Sequence, residues 1–76
     1  MISEFEIQKK LEQNFPDAKI KVQDLTGGGD HWEVRIESSA FNGKSLVEQH
    51  QMVYRCLGEW MKKEIHALKL HTSTPT

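Results

Sequence analysis

Seventy-six residues suffice for one small domain, near the lower limit at which a chain buries enough apolar surface to fold without disulfides or metal, and they exclude a second domain. At 37% hydrophobic and 28% charged, the composition places the chain with ordinary globular proteins rather than with disordered or membrane-bound ones. A formal net charge of −1 provides no global field for a polyanion, so nucleic-acid binding would need a local patch.

The single cysteine, Cys56, has no intrachain partner, and the opening MISEFEIQKK lacks the apolar run of a secretory signal. No apolar run nears the roughly 20 residues of a membrane span. The expectation is a reducing, cytoplasmic setting, with the chain free in solution or attached to another protein.

Ser3 followed by Glu6 is a capping-box signature, and Ile7, Leu11 and Phe15 then recur at four-residue spacing, which predicts a first helix. Pro16 disfavours helical geometry at Phe15 and, with Asp17, turns the chain out. In KIKVQDL, Ile20 and Val22 alternate with Lys19, Lys21 and Gln23. In HWEVRIE, Trp32, Val34 and Ile36 alternate with His31, Glu33, Arg35 and Glu37. Both segments read as strands with one wet face, joined as an antiparallel hairpin by Thr26-Gly27-Gly28-Gly29-Asp30. This glycine run leads into a strand where a phosphate loop leads into a helix, and no Gly-Lys-Ser/Thr follows it. It reads as a hairpin loop open to a partner.

Phe41-Asn42-Gly43-Lys44 reads as a turn, followed by a second capping box in Ser45 and Glu48. Leu46, His50, Val53 and Leu57, widened by Val47 and Tyr54, make the apolar stripe of a second helix that ends near Leu57, with Gly58 as the helix-ending residue. Trp60, Met61 and Ile65 on a common face predict a short third helix carrying Lys62, Lys63 and Glu64 outward, which makes a helix-turn-helix-like corner. Leu68 and Leu70 alternate with Ala67, Lys69 and His71 in a last strand that ends before Pro75, and Thr72 to Thr76 read as a frayed tail. The order α-β-β-α-α-β predicts a single α/β (α+β) domain: a three-stranded sheet with its helices on one face and the other face open to water or a partner.

Taken together, the loop GGGDHWEV, the run FNGKSLVEQHQMVY and the segment IHALKLHTSTP resemble the BolA family of small cytosolic proteins, particularly its short bacterial members, over nearly the whole chain. The family pattern is a Phe-x-Gly turn, six further residues and then His-Arg. Phe41, Gly43 and His50 fill it, as structural or partner-contact residues, while Gln51 stands in place of the arginine. The resemblance implies a fold like the type II K-homology domain and a partnership with monothiol glutaredoxins around a shared [2Fe-2S] cluster. In that arrangement the glutaredoxin cysteine and a glutathione thiol hold one side of the cluster. The BolA-like side supplies a histidine near the start of the last strand, here His66, and a second residue from the hairpin loop, a cysteine in some members and His31 here.

The chemistry is coherent with that implication. A cluster needs several thiolate-type ligands, with imidazole an acceptable replacement at some positions, so lone Cys56 cannot hold one, whereas imidazoles can complete one brought by a partner. His66 is weighed as a ligand against a bland role bonding the last helical carbonyls, and His31 stands open between ligation and plain exposure. His50, on the apolar stripe, reads as a partly buried structural residue, His71 as part of a basic patch, and Cys56 as a packing residue or exposed thiol. The expected function is a non-enzymatic adaptor in cluster trafficking or iron and redox regulation. The alternative is a nucleic-acid-binding transcriptional regulator using Arg55, Lys62, Lys63 and Lys69. Against it, Cys56-Leu57-Gly58-Glu59 lacks the second glycine of a Gly-x-x-Gly loop. No nucleophile-base pair or paired carboxylates point to an enzyme. A weak homodimer of the free chain is left open.

Overall fold

The computed structural model describes residues 2–75. In chain order it has α1 (Glu4–Asn14), β1 (Lys19–Asp24), β2 (His31–Glu37), a 3₁₀ turn (Ser39–Phe41), α2 (Leu46–Leu57), a second 3₁₀ turn (Gly58–Met61) and β3 (Ala67–Ser73).

Both helices begin where side chains satisfy the amides that a helix start leaves over. Ser3 Oγ accepts from Glu6 N–H at 3.2 Å, while the Glu6 carboxylate accepts from Ser3 N–H at 3.2 Å. Ser45 and Glu48 repeat this at the start of α2, at 2.9 and 3.2 Å. The Ser45 backbone N–H, above all, holds the Glu48 carboxyl below its usual pKa.

β2 is the central strand. It pairs antiparallel with β1, setting Ile20 opposite Ile36 and Val22 opposite Val34, and parallel with β3, setting Trp32 opposite Leu68 and Val34 opposite Leu70. A parallel neighbour requires a crossover, and α2 provides it. One face of β2 is buried throughout: Trp32, Val34 and Ile36 retain at most 2% of their accessible surface. Burial of such side chains contributes about 1.5–3 kcal/mol each. Ile7, Leu11, Phe15, Phe41, Val53 and Leu57 close the core from the helix side.

Three features depart from the expectations. The third helix is a single 3₁₀ turn. Gly58 takes φ 54°, and the Glu64 and Ile65 amides both bond the Trp60 carbonyl, at 3.0 and 2.7 Å, so the i→i−4 bond of Glu64 is followed at once by an i→i−5 bond and the chain swings toward β3 instead of continuing as a helix. The helix-turn-helix-like corner is therefore one helix and one turn. The α2 stripe is buried only toward its C-terminal half. Leu46 and Val47 remain 60% and 66% exposed, because at that level the contact to the sheet is polar, Thr72 Oγ1 donating to Gln49 Oε1 at 2.7 Å. Finally, β3 runs through Thr72 and Ser73, and the Ser73 carbonyl accepts from Ser38 N–H at 3.0 Å, so strand pairing continues past the point where the tail was expected to begin. Thr76 lies outside the described residues.

Asp17, in the turn after α1, accepts from Ser38 Oγ at 2.9 Å, Ser39 N–H at 2.9 Å and Ser39 Oγ at 2.6 Å. It latches that turn to the segment entering α2, beside the Phe15 and Phe41 rings, whose centroids are 5.3 Å apart. These bonds, the Ser39 hydroxyl's first, hold the Asp17 carboxyl at about 2 instead of 3.8. A folded-state pKa below the unfolded one means that the latch stabilises fully above the unfolded value and is lost as pH falls from about 4 towards 2. Asp17→Asn is expected to lower the midpoint of urea unfolding at neutral pH, and the gap to the parent protein should shrink across that acid window. An unchanged gap in acid would show that the Asp17 carboxylate is not the source of the difference.

Candidate functional site

The hairpin loop turns its amides inward. Asp24 Oδ1 accepts from Thr26 N–H at 3.3 Å and Gly27 N–H at 3.0 Å, and Asp24 Oδ2 accepts from Gly29 N–H at 3.0 Å. Thr26 Oγ1 accepts from Gly28 N–H and donates to Asp30 Oδ1, both at 3.2 Å. Gly29 is buried at φ 77°, a conformation that a side chain would strain, and its carbonyl accepts from the Trp32 indole at 3.2 Å. A carboxylate of the chain itself thus occupies the place where an external anion would bind, and the loop is held by its own side chains.

This loop delivers the chain to His31 at the start of β2. The parallel register sets His31 opposite Ala67, the residue after His66, and the Asp30 carbonyl accepts from both His66 N–H at 2.9 Å and Ala67 N–H at 3.3 Å. The two histidines therefore leave the same end of the sheet from adjoining backbone positions, and both are exposed. His31 Nε2 stands 3.8 Å from Asp30 Oδ2, an ion pair when the ring is protonated. Among the described residues no three His, Cys, Asp or Glu side chains converge as a metal site. His31 and His66 fit a partial ligand set, two exposed nitrogens to be completed from outside.

The remaining candidates are dispersed. Phe41 is fully buried against Phe15, and Gly43 turns the chain into α2 at φ 75°, so these two members of the motif act on the fold. His50 is half-buried with its ring edge-on to Tyr54, centroids 6.2 Å apart. Cys56 packs between the helices and donates from Sγ to the Lys10 carbonyl at 3.5 Å, and burial pushes its thiol pKa up, the opposite of activation. Arg55 lies on α2, Lys62 pairs with Glu59 at 3.6 Å, and Lys69 lies on the open sheet face near Glu33. The structure sets Lys69 and Arg55 on opposite sides of the sheet instead of gathering one basic patch. His71, which the sequence offered only as a patch member, donates from Nε2 to Glu33 Oε2 at 3.2 Å.

Fold and site define a one-domain α+β protein with a mixed three-stranded sheet, whose candidate ligand side chains lie at the surface and not in an enclosed cleft. The family model described as BolA-like protein matches residues 3–76, and the chain belongs to the BolA family. Human BolA-like protein 3 is 45% identical over 74 residues, covering 95% of this chain and 68% of that one. The DNA-binding transcriptional regulator BolA of Escherichia coli is 33% identical over 75 residues, covering 90% and 71%. The BolA domain of SufE1 from Arabidopsis thaliana superposes with a TM-score of 0.88 at 32% identity, covering 99% of this chain and 96% of that one.

Because Asp24 alone gathers three loop amides, Asp24→Ala is expected to speed hydrogen exchange at Thr26, Gly27 and Gly29 by about tenfold or more, the scale of a hydrogen bond to a charged acceptor. Exchange at Val34 and Ile36 in β2 should hardly change. Equal protection of the loop amides in both proteins would mean that another interaction orders the loop.

Proposed function

We propose that the chain is a non-enzymatic adaptor of the cytoplasm that partners a monothiol glutaredoxin and completes a shared [2Fe-2S] cluster through His66 and His31. The observation that carries this reading is the strand register: His31 opposite Ala67, with one carbonyl, that of Asp30, bonding the amides of both His66 and Ala67. Two imidazoles at one exposed end match the half-set that such a cluster accepts beside thiolate ligands. The cluster, when bound, supplies the redox and transferable iron chemistry. The chain's own part is to hold two imidazoles at the starts of paired strands, with the Asp30 carboxylate 3.8 Å from His31 Nε2. The partner would provide the remaining ligands, a cysteine and the glutathione thiol.

The second reading, a nucleic-acid-binding regulator, is favoured by the name of the Escherichia coli relative. The placement of Arg55 and Lys69 on opposite sides of the sheet, and the pairing of Lys62 with Glu59, weigh against it, since a phosphate backbone is met by cations on one surface.

Anaerobic reconstitution with a monothiol glutaredoxin, glutathione, iron and sulfide, followed by size exclusion and visible circular dichroism, tests the adaptor reading. The expected product is a one-to-one complex whose spectrum differs from that of the glutaredoxin homodimer. His66→Ala should lower cluster retention in it by at least about tenfold, the lower end of what even an outer-shell partner costs. An unchanged spectrum and retention in His66→Ala would remove His66 from the ligand set. Failure to form any complex, together with salt-dependent binding of duplex DNA lost on reversing Lys62 and Lys63, would favour the regulator.

A further inference from the structure

On the open face of the sheet the register sets cations side by side. Lys21 lies opposite Arg35 in the β1–β2 ladder, and Arg35 lies opposite His71 in the β2–β3 ladder, so basic residues form one row across all three strands. Like charges directly opposite one another destabilise a sheet, and strand spacing sets the ends of this row about 10 Å apart. A local rule broken in this way marks a place where function overrides stability. The flanking rows hold Lys19 opposite Glu37 and Lys69 opposite Glu33. The face therefore carries four permanent cations, Lys19, Lys21, Arg35 and Lys69, against two carboxylates, a surplus of two positive charges on a chain whose net charge is −1.

Glu33 offsets part of the row, as the shared ion-pair partner of Arg35, Lys69 and His71, without saturating its donors. Its Oε2 accepts from His71 at 3.2 Å but stands 3.8 Å from Arg35 and 3.9 Å from Lys69, beyond hydrogen-bond length, so the guanidinium and ammonium donors stay available. Among the described residues neither Lys19 nor Lys21 is ion-paired. The row floors an open depression of about 420 Å³ that runs from Lys19 and Lys21 over Arg35 to His71 and Ser73, with Glu37 also in its lining.

We propose that this concavity binds a small anion bearing a polyphosphate chain, laid along the Lys21, Arg35 and His71 row. The permanent cations Lys19, Lys21 and Arg35 on neighbouring strands match several linked phosphates better than one, and the planar fork of Arg35 suits an oxyanion. No Phe, Tyr or Trp stands on this face, so the bases of a single-stranded nucleic acid have no platform for stacking. A three-stranded sheet presented face-on does not enter the major groove of a duplex, which admits a helix or a two-stranded ribbon, and this face carries no large apolar side chain to wedge into a minor groove. What remains is recognition by charge, independent of the histidine pair at the end of the sheet.

Titration of the ¹⁵N-labelled chain with inorganic tripolyphosphate at low salt tests the site. Saturable shifts are expected at the amides of Lys19 to Lys21, Arg35 to Glu37 and His71 to Ser73, weakening as salt is added. Arg35→Gln and Lys21→Gln, exposed changes whose folding is checked by the dispersion of the same spectra, should each weaken binding about tenfold, while Lys62→Gln should leave it unchanged. Shifts spread over all the lysines alike, binding that does not saturate, or undiminished affinity in Arg35→Gln would overturn the proposal. So would a duplex DNA oligonucleotide that moves these amides when tripolyphosphate does not.

Discussion

The pleat of β2 is the constraint on which the rest of the molecule depends. It is the one strand of the sheet paired on both sides, and its residues alternate between a dry face of Trp32, Val34 and Ile36 and a wet face of His31, Glu33, Arg35 and Glu37. A one-residue slip against either neighbour would bury the charged set and expose the apolar set. Loss of those three burials would cost about 4.5–9 kcal/mol, most of the about 5–15 kcal/mol that a domain has in total, before the burial of the charged set is added. The register is therefore held tightly, and with it the pairing of His31 with Ala67 and of Arg35 with His71. Both candidate sites are consequences of one hydrophobic requirement.

A core this thin is supplemented by carboxylates that collect donors from distant or strained backbone. Asp17 spans 21 and 22 residues of sequence to reach Ser38 and Ser39, and Asp24 folds the glycine run onto itself. Each replaces a water-exposed, flexible turn with charge-assisted hydrogen bonds, which are stronger than neutral ones. Asp17 and Phe41 act at the same joint: the latch holds the segment entering α2 while the Phe41 ring fills the space beside Phe15. Without that joint the turn at Gly43 would not aim α2 back across the sheet, and the parallel placement of β3 depends on that crossover.

Most of the fold is legible in the sequence because its signals are local. The capping boxes at Ser3 and Ser45 and the strict alternation in KIKVQDL and HWEVRIE state where elements begin and which way their side chains face. The misreadings arise where tertiary context decides. Trp60, Met61 and Ile65 recur at helical spacing, yet that spacing serves packing around one 3₁₀ turn, with Ile65 buried and Trp60 half-buried. Leu46 and Val47 belong to the α2 stripe by period but face no apolar surface. Asp24 looks like the end of a strand, and nothing in its neighbours announces that both its oxygens serve the loop. The histidines show the limit most clearly. His31 and His66 can each be seen at a strand start, but only the parallel pairing, a long-range fact, makes those two starts the same end of the sheet.

The same pairing separates the two candidate sites. Along β2, His31 and Arg35 lie on one face four residues apart, about 13 Å at the rise of a strand, with Glu33 between them. At physiological ionic strength the screening length is about 8 Å, so charge gathered at the Arg35 row acts weakly at the histidine end. Glu33 reinforces the separation, because its carboxylate is drawn toward Arg35, Lys69 and His71 and not toward His31, whose nearest acid is Asp30. An anion on the open face and a partner at the end of the sheet can therefore be accommodated together, each on its own set of residues. This independence follows from the spacing of a seven-residue strand that could carry both sets on one side only because its other side is entirely given to the core.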